Sequence, residues 1–265
     1  MSGDFKLRNI GILAQVIAKI KNWPTYLIDL FSLTKSKYVI LNLRNGNDFL
    51  IRANTTDRGI VTTVAIQDEY QLGQLNLKNA TIIDIGGQNG YFSVHAAKYA
   101  SKVYTFEPFK ENYVNILKNI ELNNLNDTII PFNCAVSKNQ NGKKANSKND
   151  KKLRIYLSQN TGGHSIYSDG NNKNFIDVNV TTLKEIFDKN KIEICNLLKI
   201  DAEGSEYDIL YTLPEKYFDK ILRIRMEVHQ CDNKKNNSQA LISFLKSKGY
   251  AVAYNTPLLF ASRVK

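Results

Sequence analysis

The sequence predicts an α/β fold: a seven-stranded, mostly parallel sheet with helices on both faces, an antiparallel hairpin at its C-terminal end, and a helical and hairpin extension in front. Three observations predict it. From residue 79 onward, short β-branched runs alternate with helical patterns, which is the rhythm of a parallel sheet. The first of these runs ends in a glycine-rich turn that opens a helix. The last two strand-like runs are joined only by Asn255-Thr256-Pro257, whereas a parallel return needs a dozen residues or more. The change of rhythm divides the chain into an extension, residues 1–78, and a sheet domain, residues 79–265.

Within the extension, Ile10, Leu13, Val16, Ile17 and Ile20 recur at helical spacing in residues 5–34. Trp23-Pro24 interrupts them, because a proline disfavours helix at the residue before it, and residues 26–31 form a second short helix. Asn45-Gly46 between the runs 38–43 and 48–51 signals a hairpin. Residues 57–76, with Asp57, Glu69 and Tyr70, read as mostly helical. In the sheet domain, residues 81–85, 103–106, 128–136, 196–200 and 221–228 are the buried parallel strands. Helices at 90–100, 110–123, 182–189, 205–210 and 238–248 alternate with them, and 153–157 and 176–180 add two further strands. Thr181 or Thr182 caps the third of these helices, and Gly249 ends the last. Residues 250–254 and 258–264 form the closing hairpin.

Composition bounds the function. An apolar fraction of 43% in 265 residues is enough for a sizeable core and excludes a disordered or collagen-like chain. The net charge of +11 comes from 28 Lys and only 8 Arg, beside 31 Asn. Polyanion readers lean on arginine forks, so this charge reads as compositional bias. Six of the lysines fall in residues 138–152, a solvated loop or a contact for an acidic partner. The three cysteines have no metal-type spacing and read as reduced thiols. No run reaches the roughly 20 apolar residues of a membrane span, and no signal-peptide pattern is present, so a soluble, cytoplasmic protein is expected. The N-terminal helices offer peripheral contact with a membrane or pairing into a homo-oligomer.

The chemistry gathers at strand ends. Asp84-Ile85-Gly86-Gly87-Gln88-Asn89-Gly90 forms the turn after the first strand of the domain, where glycines let backbone approach a ligand. Glu107 ends the next strand, where a carboxylate can accept the hydroxyls of a ribose. A nicotinamide-binding protein shares that acid but normally reads Gly-x-Gly-x-x-Gly. The Gly-Gly-x-x-Gly spacing, the acid before it and the closing hairpin instead resemble class I S-adenosylmethionine methyltransferases.

The resemblance narrows further. Leu197-Leu198-Lys199-Ile200-Asp201-Ala202-Glu203-Gly204-Ser205-Glu206 resembles the signature of the FkbM methyltransferases, as does Met226-Glu227-Val228-His229. So do residues 84–92, Thr105-Phe106-Glu107-Pro108, Asn133-Cys134-Ala135-Val136-Ser137 and Gly162-Gly163-His164-Ser165. Arg44-Asn45-Gly46, Asp57 and Glu69-Tyr70 fit the upstream region, and the likeness spans roughly residues 38–232. Two positions depart from it: the turn reads Gly-Gly-Gln-Asn-Gly for the family's Gly-Ala-Asn-x-Gly, and Lys184 follows Thr182-Leu183 where the family has Asp.

The resemblance implies a three-layer Rossmann-like sheet that transfers a methyl group from S-adenosylmethionine to a hydroxyl of a sugar, glycan or related secondary-metabolite acceptor. It implies that Asp84, Gly86, Gly87, Gln88, Asn89 and Gly90 meet the amino-acid portion of the cofactor, joined by Glu69 and Tyr70. Glu107 with Pro108 would hold the ribose, Ala135 and Val136 the adenine, and Asp201 would stand beside the methyl. Glu227 and His229, two apart on a strand, face one way, so one can orient the other as a base. Asp201 and Glu203 are alternative bases, and His164 and Ser165 are expected at the acceptor. Asp201, Glu203, Glu227 and His229 also offer a divalent-cation set that their spacing does not require. A nucleic-acid methyltransferase is the rival on net charge, and a non-catalytic cofactor-binding or membrane-surface protein is the other.

Overall fold

In a computed structural model the described residues are 2–138, 152–156, 175–232 and 234–264. The extension opens with helices α1 (Ser2–Lys19) and α2 (Trp23–Leu30), the second with its proline in the first turn, where no backbone N–H is needed. Strands β1 (Tyr38–Asn42) and β2 (Asp48–Arg52) form the expected hairpin, with Gly46 at φ +97° in its turn. Helix α3 (Asp57–Val61) runs into a π-helical turn, Thr62–Ile66.

The helical reading of residues 57–76 needs correction at this point. Asp68 and Gln71 have positive φ, and the Asp68 carboxylate accepts the backbone N–H groups of Leu72 and Gly73, both at 2.8 Å. An Asp that bonds its own backbone competes with the helix. Glu69 and Tyr70 therefore sit in a turn, followed by a single 3-10 turn at Leu72–Gln74.

The domain then alternates β3 (Ala80–Ile85), α4 (Tyr91–Ala97), β4 (Ala100–Phe106), α5 (Lys110–Leu122) and β5 (Ile129–Phe132). After β6 (Ala135–Val136), β7 (Lys152–Tyr156) and β8 (Phe175–Thr181) come α6 (Leu183–Lys189), β9 (Leu197–Ile200), α7 (Glu206–Tyr211) and α8 (Glu215–Phe218). The chain closes with β10 (Arg223–Glu227), α9 (Ser238–Ser247), β11 (Tyr250–Asn255) and β12 (Leu258–Arg263). Thr182 caps α6 by accepting the Glu185 N–H at 3.1 Å.

Seven strands form the main sheet in the order β11-β12-β10-β9-β3-β4-β5. All neighbours are parallel except β12, which runs antiparallel to both β10 and β11. This is the sheet that the resemblance implies, with its closing hairpin. The run 128–136 proves to be two strands. Asn133 donates to the carbonyls of Glu107 and Pro108, at 2.9 and 3.0 Å, and turns the chain off the sheet. β6 then joins β8 and β7 in a separate three-stranded sheet.

Extension and sheet share one core. Val16, Ile20, Leu41, Phe49 and Ile66 pack in the same buried cluster as Ile82, Val94, Ile116 and Leu197. A second cluster, between Ile83, Ile200, Met226, Leu210 and Leu241, fills the other face. Helix α1 buries Val16, and Ile20 is buried just beyond its end, but the helix exposes Ile10, Leu13 and Ile17, three and four residues apart on one stripe. No helix among the described residues is long and apolar enough to cross a membrane.

Candidate functional site

Strand order and register create the rim of the site. The order reverses at β3: β4 and β5 lie on one side, β9 and β10 on the other. In open α/β sheets such a switch point leaves a crevice beyond the carboxyl ends of the strands. Here Ile85 is in register with Phe106 and with Ile200, and Ile200 with Met226. The next residue on each strand, Gly86, Glu107, Asp201 and Glu227, therefore stands on one rim. Two clefts open there and meet at Gly86, Gln88 and Asp201.

The first cleft is mostly apolar. Phe106, Pro108, Phe109, Ala135, Val136 and, from the small sheet, Leu153 and Ile155 line it, with Glu107 at the floor. The Glu107 carboxylate is buried. One oxygen accepts the Gln88 N–H at 2.9 Å; the other accepts the Phe109 N–H at 2.9 Å and the Asn112 side chain at 3.4 Å. Burial pushes its pKa up to about 7, against the pull of these donors. A carboxylate has about four acceptor sites, so three donors leave room on the Gln88 side for a ligand hydroxyl.

The second cleft is polar. Glu69, Tyr70, Lys199, Asp201 and Glu227 line it with Gly86, Gly87 and Gln88. Burial raises the Glu69 pKa, and the Asp201 and Glu227 charges add to the effect. Burial also raises the Glu227 pKa, again helped by Asp201. Lys199 is buried beneath them. Its Nζ donates to the Gly86 carbonyl at 2.7 Å and stands 3.2 Å from Asp84 and 3.7 Å from Asp201. Desolvation works against its charge, but the two aspartates outweigh it and the pKa is raised.

The glycines serve a different purpose from the one their sequence suggests. A β-carbon on Gly86 would lie 1.7 Å from the Asp201 carbonyl oxygen, and one on Gly87 2.2 Å from Thr105 Oγ1. One on Gly90 would meet Ile116 at 3.3 Å. The close approach is of protein to protein, and Gly86 and Gly90 also hold positive φ. Three residues of the turn are set back from both clefts. Asp84 is fully buried, accepting Ser93 Oγ at 2.6 Å and Thr105 Oγ1 at 3.2 Å. Asn89 is buried between Asp57, at 3.2 Å, and Asn115, at 3.0 Å. Gly90 caps α4. These three build the turn, and Gly86, Gly87 and Gln88 face the space.

Asp57 ties the extension to that turn. Its carboxylate, fully buried, takes two side-chain hydrogen bonds from Arg52, at 2.9 and 2.7 Å, and one from Tyr91 at 2.9 Å.

Beyond the rim lies an ionic cluster. Asp201, Glu227 and His229 bring one side-chain oxygen or nitrogen each within 4.8 Å of one another. The expected Glu227–His229 orienting pair is not what forms. The strand ends at Glu227, and His229 turns to Glu206, whose carboxylate is 2.9 Å from Nδ1 and also accepts the His229 backbone N–H at 2.8 Å. The other ring nitrogen lies 3.4 Å from Glu203. Both imidazole nitrogens thus face carboxylates. Desolvation opposes the charged ring, but Glu206 and Glu203 push its pKa up to about 9. Glu203 is pushed up to about 7, chiefly by burial, with His229 pulling the other way. A cation at this cluster would have to displace Glu203 from His229.

Glu206 and Lys199 are the functional residues that sequence reasoning left without roles. Both lie inside the Lys199-to-Glu206 block, which was their only signal. His95 is a core residue against Asp68, 3.3 Å away. His164 and Ser165, expected at the acceptor, lie outside the described residues, as does most of the lysine-rich stretch.

Among known proteins, the description "Methyltransferase FkbM domain" matches residues 84–252. A curated relative, "Methyltransferase 1" of Beauveria bassiana, is 27% identical over 198 residues, 66% of this chain and 74% of its own. A solved methyltransferase FkbM from Methylobacillus flagellatus is 17% identical, with TM-score 0.45, covering 71% of this chain and 45% of that one. An rRNA methylase from Streptococcus thermophilus is 11% identical, with TM-score 0.45, covering 76% of this chain and 96% of its own.

Proposed function

We infer the reaction from one premise: this chain belongs to the FkbM methyltransferase family. From it we propose an S-adenosylmethionine-dependent O-methyltransferase whose acceptor is a hydroxyl of a sugar, a glycan or a related alcohol.

The residues present fit that cofactor. Glu107 keeps acceptor capacity for a ribose hydroxyl, and the walls around it are mostly apolar, which suits an adenine ring. Glu69, Gly86, Gly87 and Gln88 would hold the amino-acid portion in the polar cleft. When bound, the cofactor supplies an electrophilic methyl on a sulfonium, so the chain has only to align an acceptor and take a proton. Asp201, where the clefts meet, separates the two halves. Glu203 and Glu227 stand on either side of it and offer acceptors to hydroxyl groups.

The observation that supports the acceptor class best is the sign of this rim. Among the described residues, Glu69, Asp201, Glu203 and Glu227 border the clefts, and the cation lining them, Lys199, is already committed to Asp84 and the Gly86 carbonyl. A phosphate or carboxylate acceptor would meet like charge there, whereas a polyol offers several donors to those oxygens. This favours a sugar over a nucleic acid, although the chain as a whole carries +11.

The test is transfer of labelled methyl from S-adenosylmethionine to a panel of methyl glycosides, with transfer RNA and ribosomal RNA alongside. Alkali-stable label on a glycoside is expected. Label in RNA with none on any sugar would overturn the acceptor class.

A further inference from the structure

We propose that Glu203 takes the proton of the acceptor hydroxyl, and that His229, fixed by Glu206, is a positioning residue that keeps the Glu203 carboxylate aimed and charged. The inference rests on the methyltransferase reading above and names the proton acceptor within it.

The first support is backbone. Glu203 has φ +49° and is followed by Gly204 at φ +99°. A residue with a β-carbon rarely holds that region, and such outliers gather where function requires them. The cause is local: the Gly204 N–H donates to Glu206 at 2.9 Å, and Glu206 is fully buried. The turn therefore presents the Glu203 side chain, 31% exposed, at the mouth of the apolar cleft beside Asp201.

The second support is the chain of contacts behind it. The other Glu206 oxygen accepts the His229 backbone N–H at 2.8 Å and lies 2.9 Å from Nδ1. Ring position and tilt are thereby set, and Nε2 is left 3.4 Å from Glu203. A histidine held between two carboxylates keeps its proton and cannot be the base itself. It serves as the counter-charge for Glu203 instead. Asp201, Glu227 and Glu206 favour the protonated form of Glu203, and His229 opposes them. With it, the carboxylate is basic and still ionised near neutral pH, which suits a general base. Glu227 is the competing acceptor, and it lines the polar cleft with Glu69 and Asp201.

In the step, the acceptor oxygen forms its bond to the methyl carbon as the carbon–sulfur bond breaks. That electron pair stays on sulfur, which becomes a neutral thioether. The hydroxyl proton passes to Glu203, whose charge falls to zero and is restored by exchange with solvent.

The experiment uses the full chain, whose three histidines make ring titration by NMR tractable, with His229→Asn to assign the signal. The His229 ring should titrate well above a free imidazole, and in Glu206→Gln at least one pH unit lower. With S-adenosylmethionine and a methylated glycoside from the panel, Glu203→Gln should lose at least a hundredfold in turnover while keeping S-adenosylhomocysteine affinity within threefold. His229→Asn should move the acid limb of the rate profile to higher pH, because Glu203 loses its counter-charge. Turnover of Glu203→Gln within threefold of wild type, or a His229 titration unmoved by Glu206→Gln, would overturn the proposal. A hundredfold loss in Glu227→Gln with Glu203→Gln active would give the role to Glu227. If Glu206→Gln unfolds, the partly exposed Glu203 variant still decides. Failure of the methyltransferase reading looks different: no S-adenosylhomocysteine binding by the wild type.

Discussion

Glu107 is held by three donors on two oxygens, so its remaining acceptor site is the one a ribose would use. Its raised pKa, about 7, gives the pH dependence a sign. The charged form accepts the stronger hydrogen bond, and protonation removes it as pH falls through that value. Affinity for S-adenosylhomocysteine should thus be flat above about pH 8 and fall by up to about tenfold for each unit below 7, the slope of one coupled proton. Calorimetry between pH 5.5 and 8.5 reads this, and the slope should vanish in Glu107→Gln. Sequence logic located Glu107, Asp201 and Glu227 because each ends a strand, and strand ends share a rim. Asp84, Asn89 and Gly90 are set back from the clefts and build the turn, a role that sequence does not separate from ligand contact, because the residue types that touch a ligand at such a turn are the same ones that build it. Sequence logic paired His229 with Glu227, two residues away, where the fold supplies Glu206 from the start of α7.

At the scale of elements, the crevice depends on β3, β4 and β9 approaching closely at their ends. Gly86→Ala puts a β-carbon 1.7 Å from the Asp201 carbonyl oxygen, a backbone atom that cannot rotate away. We expect a loss of stability of at least about 1–3 kcal/mol, the usual cost of overpacking, and no cofactor binding. Chemical denaturation and calorimetry measure the two effects. Gly59→Ala, where a β-carbon meets nothing within 4 Å and φ is ordinary, is the control. Asp57→Ala should be costly as well, by about 3–5 kcal/mol, because it strips the partner from Arg52 in a mostly buried pair and loosens the extension from the turn. The helices and the hairpin strands of this chain follow from periodicity and turn residues. The break after Ile66 does not, because Asp68 ends the helical run through its own side chain, and periodicity does not register side-chain competition.

At the scale of the molecule, residues 1–78 are a wall of the site as well as an extension: Ile60, Thr63, Glu69 and Tyr70 line the polar cleft. Because both parts share one buried cluster, unfolding should be a single transition whose midpoint rises with S-adenosylhomocysteine. Two separate thermal transitions would contradict this. On the proposed function the crevice and not the net charge selects the acceptor, since the +11 belongs to the whole chain while carboxylates border the crevice. Methyl transfer to a neutral sugar should accordingly change little between 50 and 200 mM salt, where phosphate binding would collapse. The most direct test of the cofactor site is isothermal titration of the full chain and of Glu107→Ala with S-adenosylhomocysteine, with NAD in parallel. Micromolar binding to the wild type, at least a tenfold loss in the variant and no heat from NAD is the predicted result. No binding of S-adenosylhomocysteine by a folded wild type, or equal binding by both proteins, would contradict it.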